Sequence, residues 1–162
     1  MWRGPLLAQA LRQFIDQVVW GDLDFLLVDL PPGTGDIPLS LCQSIALSGA
    51  LMITTPQNVA IEDVSRGIAM FDKVEVEILG IIENMSYYNC AKCNKRHQIF
   101  GEGGALSISK QLGINFYGNL PLSLSLRKAG DEGRPLIGGE EEGKLFKLLG
   151  EKLINSLSSI GT

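Results

Sequence analysis

Apolar positions along the chain recur with two different periods, and the alternation between them sets the expected architecture. From residue 5 to residue 20, Leu7, Leu11, Phe14, Ile15 and Val18 return every three or four positions, which predicts an amphipathic helix with Pro5 in its first turn. Residues 24–29 read Asp-Phe-Leu-Leu-Val-Asp, a continuous apolar run closed by acids, the pattern of a strand buried on both faces of a parallel sheet. Further strands are predicted at 50–54, 78–83 and 116–120, with helices at 37–47, 60–71 and 104–112 between them. A last helix over 141–157 carries Leu145, Leu148, Leu149, Leu153 and Leu157 and is expected to pack over the sheet. Strands alternating with helices predict an α/β fold, doubly wound, with a mainly parallel sheet flanked by helices.

Composition narrows this picture. The 162 residues, 45% hydrophobic and 20% charged, suit one α/β domain with a core large enough to stand without bridges or metals. Any metal site must then be explained by function. The 14 Lys and Arg against 18 Asp and Glu leave a net charge of −4, which argues against a general nucleic-acid binder. Apolar stretches are broken within about ten residues, short of the ~20 needed to span a bilayer. Met1-Trp2-Arg3-Gly4-Pro5 carries no apolar signal core. Three cysteines, an odd number, point to a reducing compartment such as the cytoplasm, with thiols free or metal-bound.

Two segments carry candidate chemistry. The first is Asp29-Leu30-Pro31-Pro32-Gly33-Thr34-Gly35-Asp36, directly after the predicted strand 24–29. An acid at the carboxyl end of such a strand lies where α/β folds bind ligands, so Asp29 is expected to hold Mg²⁺ through water. Gly33 and Gly35 allow backbone N–H groups to turn toward a terminal phosphate. Asp36 reads as the cap of the next helix. Asn84, at the end of the strand 78–83, offers donor and acceptor on one amide and suits either a purine edge or a turn.

The second is Cys90-Ala91-Lys92-Cys93, followed by Asn94, Lys95, Arg96 and His97, in a polar insertion over 84–101. Two thiolates at this spacing grip one metal or one edge of a cluster, and the neighbouring cations favour the thiolate form. His97 is a local third ligand at best, and Cys42, inside a predicted helix, reads as a small buried apolar residue. One chain is therefore short of ligands. Two chains about a two-fold axis supply four sulfurs, the complement of a [4Fe-4S] cluster or a tetrahedral zinc. A thioredoxin-like redox pair ranks last, because its motif opens a helix after the first strand of its fold. The final helix, with Lys144, Lys147 and Lys152 beside Glu151, reads as a core-covering helix before a membrane-surface one.

Taken together, Trp2-Arg3-Gly4-Pro5, the Asp29 to Asp36 segment, Glu83-Asn84-Met85-Ser86, Cys90-x-x-Cys93, Ile99-Phe100-Gly101-x-Gly103-Gly104 and Ala129-Gly130-Asp131-x-Gly133-Arg134-Pro135 resemble one family. They look like the Mrp/ApbC iron-sulfur cluster carriers, within the MinD-like deviant phosphate-loop ATPases. The resemblance implies an ATP-dependent homodimer that holds a labile [4Fe-4S] cluster between paired Cys-x-x-Cys motifs and passes it to apo iron-sulfur proteins; the charge balance and the mixed charge of the last helix are read as leaving no nucleic-acid or membrane partner. The resemblance also implies that Asp29 is the Mg²⁺-linked switch acid, that Gly33 faces the γ-phosphate of ATP, and that Asn84 meets the adenine. Cys90 and Cys93 would hold the cluster. A zinc-bridged dimerisation module and a MinD-like positioning ATPase are the alternatives.

One departure matters. Relatives carry a Lys-containing Gly-rich loop upstream of the Trp-Arg-Gly-Pro element, and this sequence contains no such motif. The chain therefore resembles the carboxy-terminal part of a carrier, and phosphoryl transfer by it alone is not expected. In the family's architecture the strand bearing that loop runs between the strands matching 24–29 and 50–54.

Overall fold

The twelve-residue strand β2 (Ile78–Asn89) is the centre of the molecule, and its sequence explains why. Its first half, Ile78-Leu79-Gly80-Ile81-Ile82, is apolar on both faces, as a strand covered on both sides must be. It runs parallel to β1 (Ala50–Thr54), from Ala50↔Ile78 to Thr54↔Glu83. On its other side it runs parallel to β4 (Phe116–Pro121), through Ile81↔Phe116 and Glu83↔Asn119 to Tyr87↔Pro121. A short antiparallel strand, β3 (Arg96–His97), folds back on the end of β2. The computed structural model describes residues 4–30, 35–136 and 141–160. Its helices are α1 (Gly4–Gln17), α2 (Asp36–Ser44), α3 (Asn58–Lys73), α4 (Gly104–Leu112), α5 (Leu124–Asp131) and α6 (Glu141–Ile160).

Side chains alternate across the strands and divide the core in two. On one face Ala50, Met52 and Ile81 pack with Ile68 and Phe71 of α3 and with Ala105 and Ile108 of α4. On the other face Ile82, Tyr117 and Leu120 pack with Leu149 of α6. Helices thus cover both faces of a mainly parallel sheet, as the pattern predicts. Close packing fixes Gly80: a Cβ there would lie 2.8 Å from the Asn115 carbonyl and 2.9 Å from the Tyr117 ring. The Tyr117 hydroxyl donates to the Leu79 carbonyl at 2.8 Å, locking β4 to β2 at the same level.

The predicted strand 24–29 does not form. Residues 19–30 hold no regular element, with Phe25 50% and Leu27 84% exposed. A buried strand requires a neighbour to take its backbone bonds and layers to cover its faces, and this segment has neither. Among the described residues β1 pairs with β2 alone, so its other edge is bare. An apolar run permits a strand but does not supply its partner.

Three smaller differences have local causes. The residue that caps α2 is Gly35, in extended conformation at φ −73°, and Asp36 is the first helical residue. β2 runs six residues past the predicted end, because β4 and β3 give its polar second half partners. α5 was not foreseen from apolar spacing, since none of its residues is buried. Its start signal is Ser123, whose hydroxyl accepts from the Leu126 N–H.

Candidate metal centre

The cysteine pair sits at the tip of a hairpin that grows out of the central strand. β2 leaves the sheet after Tyr87, and the pairs Tyr88↔His97 and Asn89↔Arg96 bring the chain back as β3. Two backbone bonds close the loop: the Cys90 N–H donates to the Lys95 carbonyl at 3.0 Å, and the Asn94 N–H donates to the Cys90 carbonyl at 2.8 Å. Asn94 takes the left-handed conformation at φ 53°, which Asn tolerates better than most residues and which reverses the chain directly after Cys93. The hairpin spans residues 88–97, while residues 84–87 belong to β2 in the main sheet.

The two thiols differ in surroundings. Cys90 is half-buried and Cys93 exposed. The backbone N–H groups of Cys93 and then Lys92, followed by the Cys93 side chain, hold the Cys90 thiol below the ordinary cysteine value. Cys42 lies elsewhere, in the core face under α3 and α4, and burial pushes its thiol up. His97 is exposed on β3. Among the described residues no group of three His, Cys, Asp or Glu side chains gathers to hold a metal ion. The pair can grip two coordination positions of a metal or cluster, and the rest must come from outside this set.

Of the expected nucleotide residues, Asp29, Gly35 and Asn84 lie among the described residues, each on a different segment. Asp29 is exposed in the irregular segment 19–30, so it does not close a strand as the apolar run predicts. Gly33 lies outside the described residues, and Gly35 stands ahead of α2 with open space where a Cβ would be. Asn84 does not end β2 but lies within it, half-buried, at an irregularity in the pairing with β4. Its side-chain oxygen accepts the Met85 N–H at 2.8 Å, so the turn role is the one its amide oxygen plays here. Met85 itself is left-handed at φ 53°.

Beneath that irregularity lies a polar cluster that motif reading missed. Glu83 is 2% exposed; its Oε2 accepts the Ala105 N–H at 2.8 Å and its Oε1 accepts the Ser86 hydroxyl at 2.8 Å. The carboxyl group thereby occupies the N-terminal turn of α4, where free N–H groups and the helix dipole favour an acceptor. This also gives Ile99 to Gly104 a structural reason. Gly103 is left-handed at φ 69°, and a Cβ on Gly104 would press on the Pro56 carbonyl and Ile61 at about 3.0 Å. The available signal was an acid closing an apolar strand, the same signal that drew attention to Asp29. A cleft of about 230 Å³ opens nearby, between residues 121–125, the hairpin base and the first turn of α6. Glu142 lines it, held by the Ser123 and Ser125 hydroxyls at 2.6 and 2.8 Å. The Ser123 hydroxyl is the main reason its carboxyl lies below the usual carboxylate value.

Comparison with known proteins gives one consistent result. The profile of the ParA group described as NUBPL iron-transfer P-loop NTPase matches residues 1–156. The chain is 46% identical over 163 residues to the iron-sulfur cluster transfer protein NUBPL of Dictyostelium discoideum, covering 99% of this chain and 50% of that protein. It is 43% identical over 162 residues to an iron-sulfur cluster carrier protein of Pyrococcus horikoshii, covering 99% of this chain and 55% of the relative. The chain spans about half the length of the curated relatives it matches. Among solved structures, a nucleotide-binding protein of Archaeoglobus fulgidus in complex with ADP, with cobalt, superposes with a TM-score of 0.73 at 41% identity, covering 80% of this chain and 53% of that one. The cell-division ATPase MinD of Pyrococcus furiosus superposes with a TM-score of 0.66 at 18% identity, covering 94% and 59%, and shares the fold. No helix among the described residues is long and apolar enough to cross a membrane.

Proposed function

Since the chain belongs to the NUBPL iron-transfer family of P-loop NTPases, we propose that it carries an iron-sulfur cluster on the hairpin of Cys90 and Cys93 and delivers it to apo iron-sulfur proteins. The observation that carries this reading is the hairpin itself. Both cysteines stand at its tip, and no third ligand gathers beside them among the described residues. The cluster is cargo and must be able to leave, which suits ligands at an exposed tip better than a closed cage. Two chains supply four sulfurs, so the carrier is a homodimer bridged by a [4Fe-4S] cluster; zinc at the same sulfurs would make the bridge structural.

The nucleotide part of the reading is an assembly property. Asp29 for Mg²⁺, Gly33 and Gly35 for the terminal phosphate, and Asn84 for the base leave most of the charge of ATP unmatched, because the sequence has no Lys-containing phosphate loop. ATP should therefore bind this chain alone at roughly millimolar Kd or weaker, worth about 4 kcal/mol or less, without hydrolysis. Micromolar Mg-ATP affinity by calorimetry would contradict this.

Anaerobic reconstitution with ferrous iron and sulfide tests the carrier. The expected result is broad absorbance near 400 nm, iron and sulfide retained through desalting, and a shift from monomer to dimer on loading. Cys90→Ser and Cys93→Ser should each remove all three while leaving the circular dichroism unchanged, because a hard hydroxyl replaces a soft thiolate. Failure of the native chain to retain iron and sulfide, or retention by the double variant, would overturn the proposal.

A further inference from the structure

The hairpin that presents the cysteines has little to hold it. β3 is two residues long, both exposed, and two cross-strand pairs with two loop bonds are all the backbone offers. An isolated two-stranded hairpin is marginal in water at best. Across it lies one side-chain contact of good geometry: the Arg96 guanidinium sits over the Tyr87 ring, 3.4 Å from its centroid.

The two residues belong to parts of different rigidity. Tyr87 is fixed to the main sheet, paired with Pro121 of β4, and its carbonyl accepts the Leu122 N–H at 2.7 Å. Arg96 is on the returning strand, opposite Asn89 and so diagonal to Tyr87 on the same face, within reach of a long side chain. Among the described residues Arg96 forms no ion pair. Its planar cation is used for stacking, where Arg exceeds Lys because the guanidinium lies flat and is weakly hydrated.

We propose that Arg96 is the positioning residue of the metal centre, clasping the cysteine hairpin to the sheet through the face of Tyr87. This rests on the carrier reading for what the hairpin holds, but the clasp itself is a property of the metal-free chain. Its value for a bridged site is entropic. Two hairpins must offer four sulfurs in one geometry, and each one ordered beforehand removes a cost of binding.

Two measurements decide it. In the metal-free chain, amide hydrogen exchange over residues 88–97 should quicken about fivefold in Arg96→Ala, remain native in Tyr87→Phe, which keeps the ring face, and fall between in Arg96→Lys. Anaerobic titration with Co²⁺, followed by its thiolate charge-transfer absorbance, should give about fivefold weaker binding for Arg96→Ala and Tyr87→Leu. The double variant should be no weaker than either single one, as expected when both remove one contact. Native exchange rates in Arg96→Ala would overturn the clasp. Full recovery of cobalt affinity by Arg96→Lys would assign Arg96 a charge effect on the thiolates and equally overturn it. If Tyr87→Leu does not fold, the Arg96 variants and Tyr87→Phe still decide. Absence of cobalt binding by the native chain would count against the carrier reading, while the exchange rates would still judge the clasp.

Discussion

Replacing Glu83 by Ala should be among the most damaging single changes outside the apolar core, and the structure lets the cost be worked out. The carboxyl group is 2% exposed and accepts two hydrogen bonds, from the Ala105 N–H and the Ser86 hydroxyl, both at 2.8 Å. Truncation leaves the Ala105 N–H buried at a helix start with no acceptor, at about 1–3 kcal/mol for such an orphan. The lost Ser86 bond is smaller, since that hydroxyl can turn to the Glu83 carbonyl at 2.9 Å or to Asn119 at 3.2 Å. The vacated volume adds a cavity term. Together these come to about 3–5 kcal/mol, or a fall in Tm on the order of 10 °C for a chain of this size. Glu83→Gln retains an oxygen for Ala105, and its amide can donate to Ser86, so it should cost about 1 kcal/mol. Thermal and urea unfolding followed by circular dichroism measure both. If Glu83→Ala cost under 1 kcal/mol, or no more than Glu83→Gln, the claim that this carboxyl group ties α4 to β2 would be wrong.

Cys42→Ser places a hydroxyl in the core beside Ala50 and Ile81 and should cost about 1–3 kcal/mol in unfolding experiments, while metal content per chain stays unchanged. Alkylation with iodoacetamide as a function of pH, read by mass spectrometry, should label Cys90 from a lower pH than an ordinary thiol; Cys42, buried and shifted upward, should be modified last. Glu142 has its carboxyl pKa lowered in the folded state from 4.5, so its contribution to stability is present above that pH and is lost as pH falls toward the lowered value. Glu142→Gln should therefore lose less stability than the native chain between pH 5 and the lowered value, and identical acid unfolding curves would refute the role of the Ser123 and Ser125 hydrogen bonds.

The elements most legible in the sequence were those whose own residues carry the cause. β1 and α4 begin and end where the pattern predicts. The Cys-x-x-Cys spacing identified the metal candidate, and apolar company identified Cys42 as core. Residues 24–29 mark the limit. Their run is as apolar as that of β2, yet β2 lies between two parallel partners and this segment has none, a difference no property of the residues themselves encodes. The same holds for the polar contacts. That Glu83 meets α4 twenty-two positions later, that Ser123 and Ser125 converge on Glu142, and that Arg96 lies over Tyr87 all depend on pairings and crossings that bring distant positions within 3 to 4 Å. Local sequence determined which segments could be strands, helices or ligands. Hydrogen-bond partners and packing neighbours, which only the assembled chain supplies, decided which of them were.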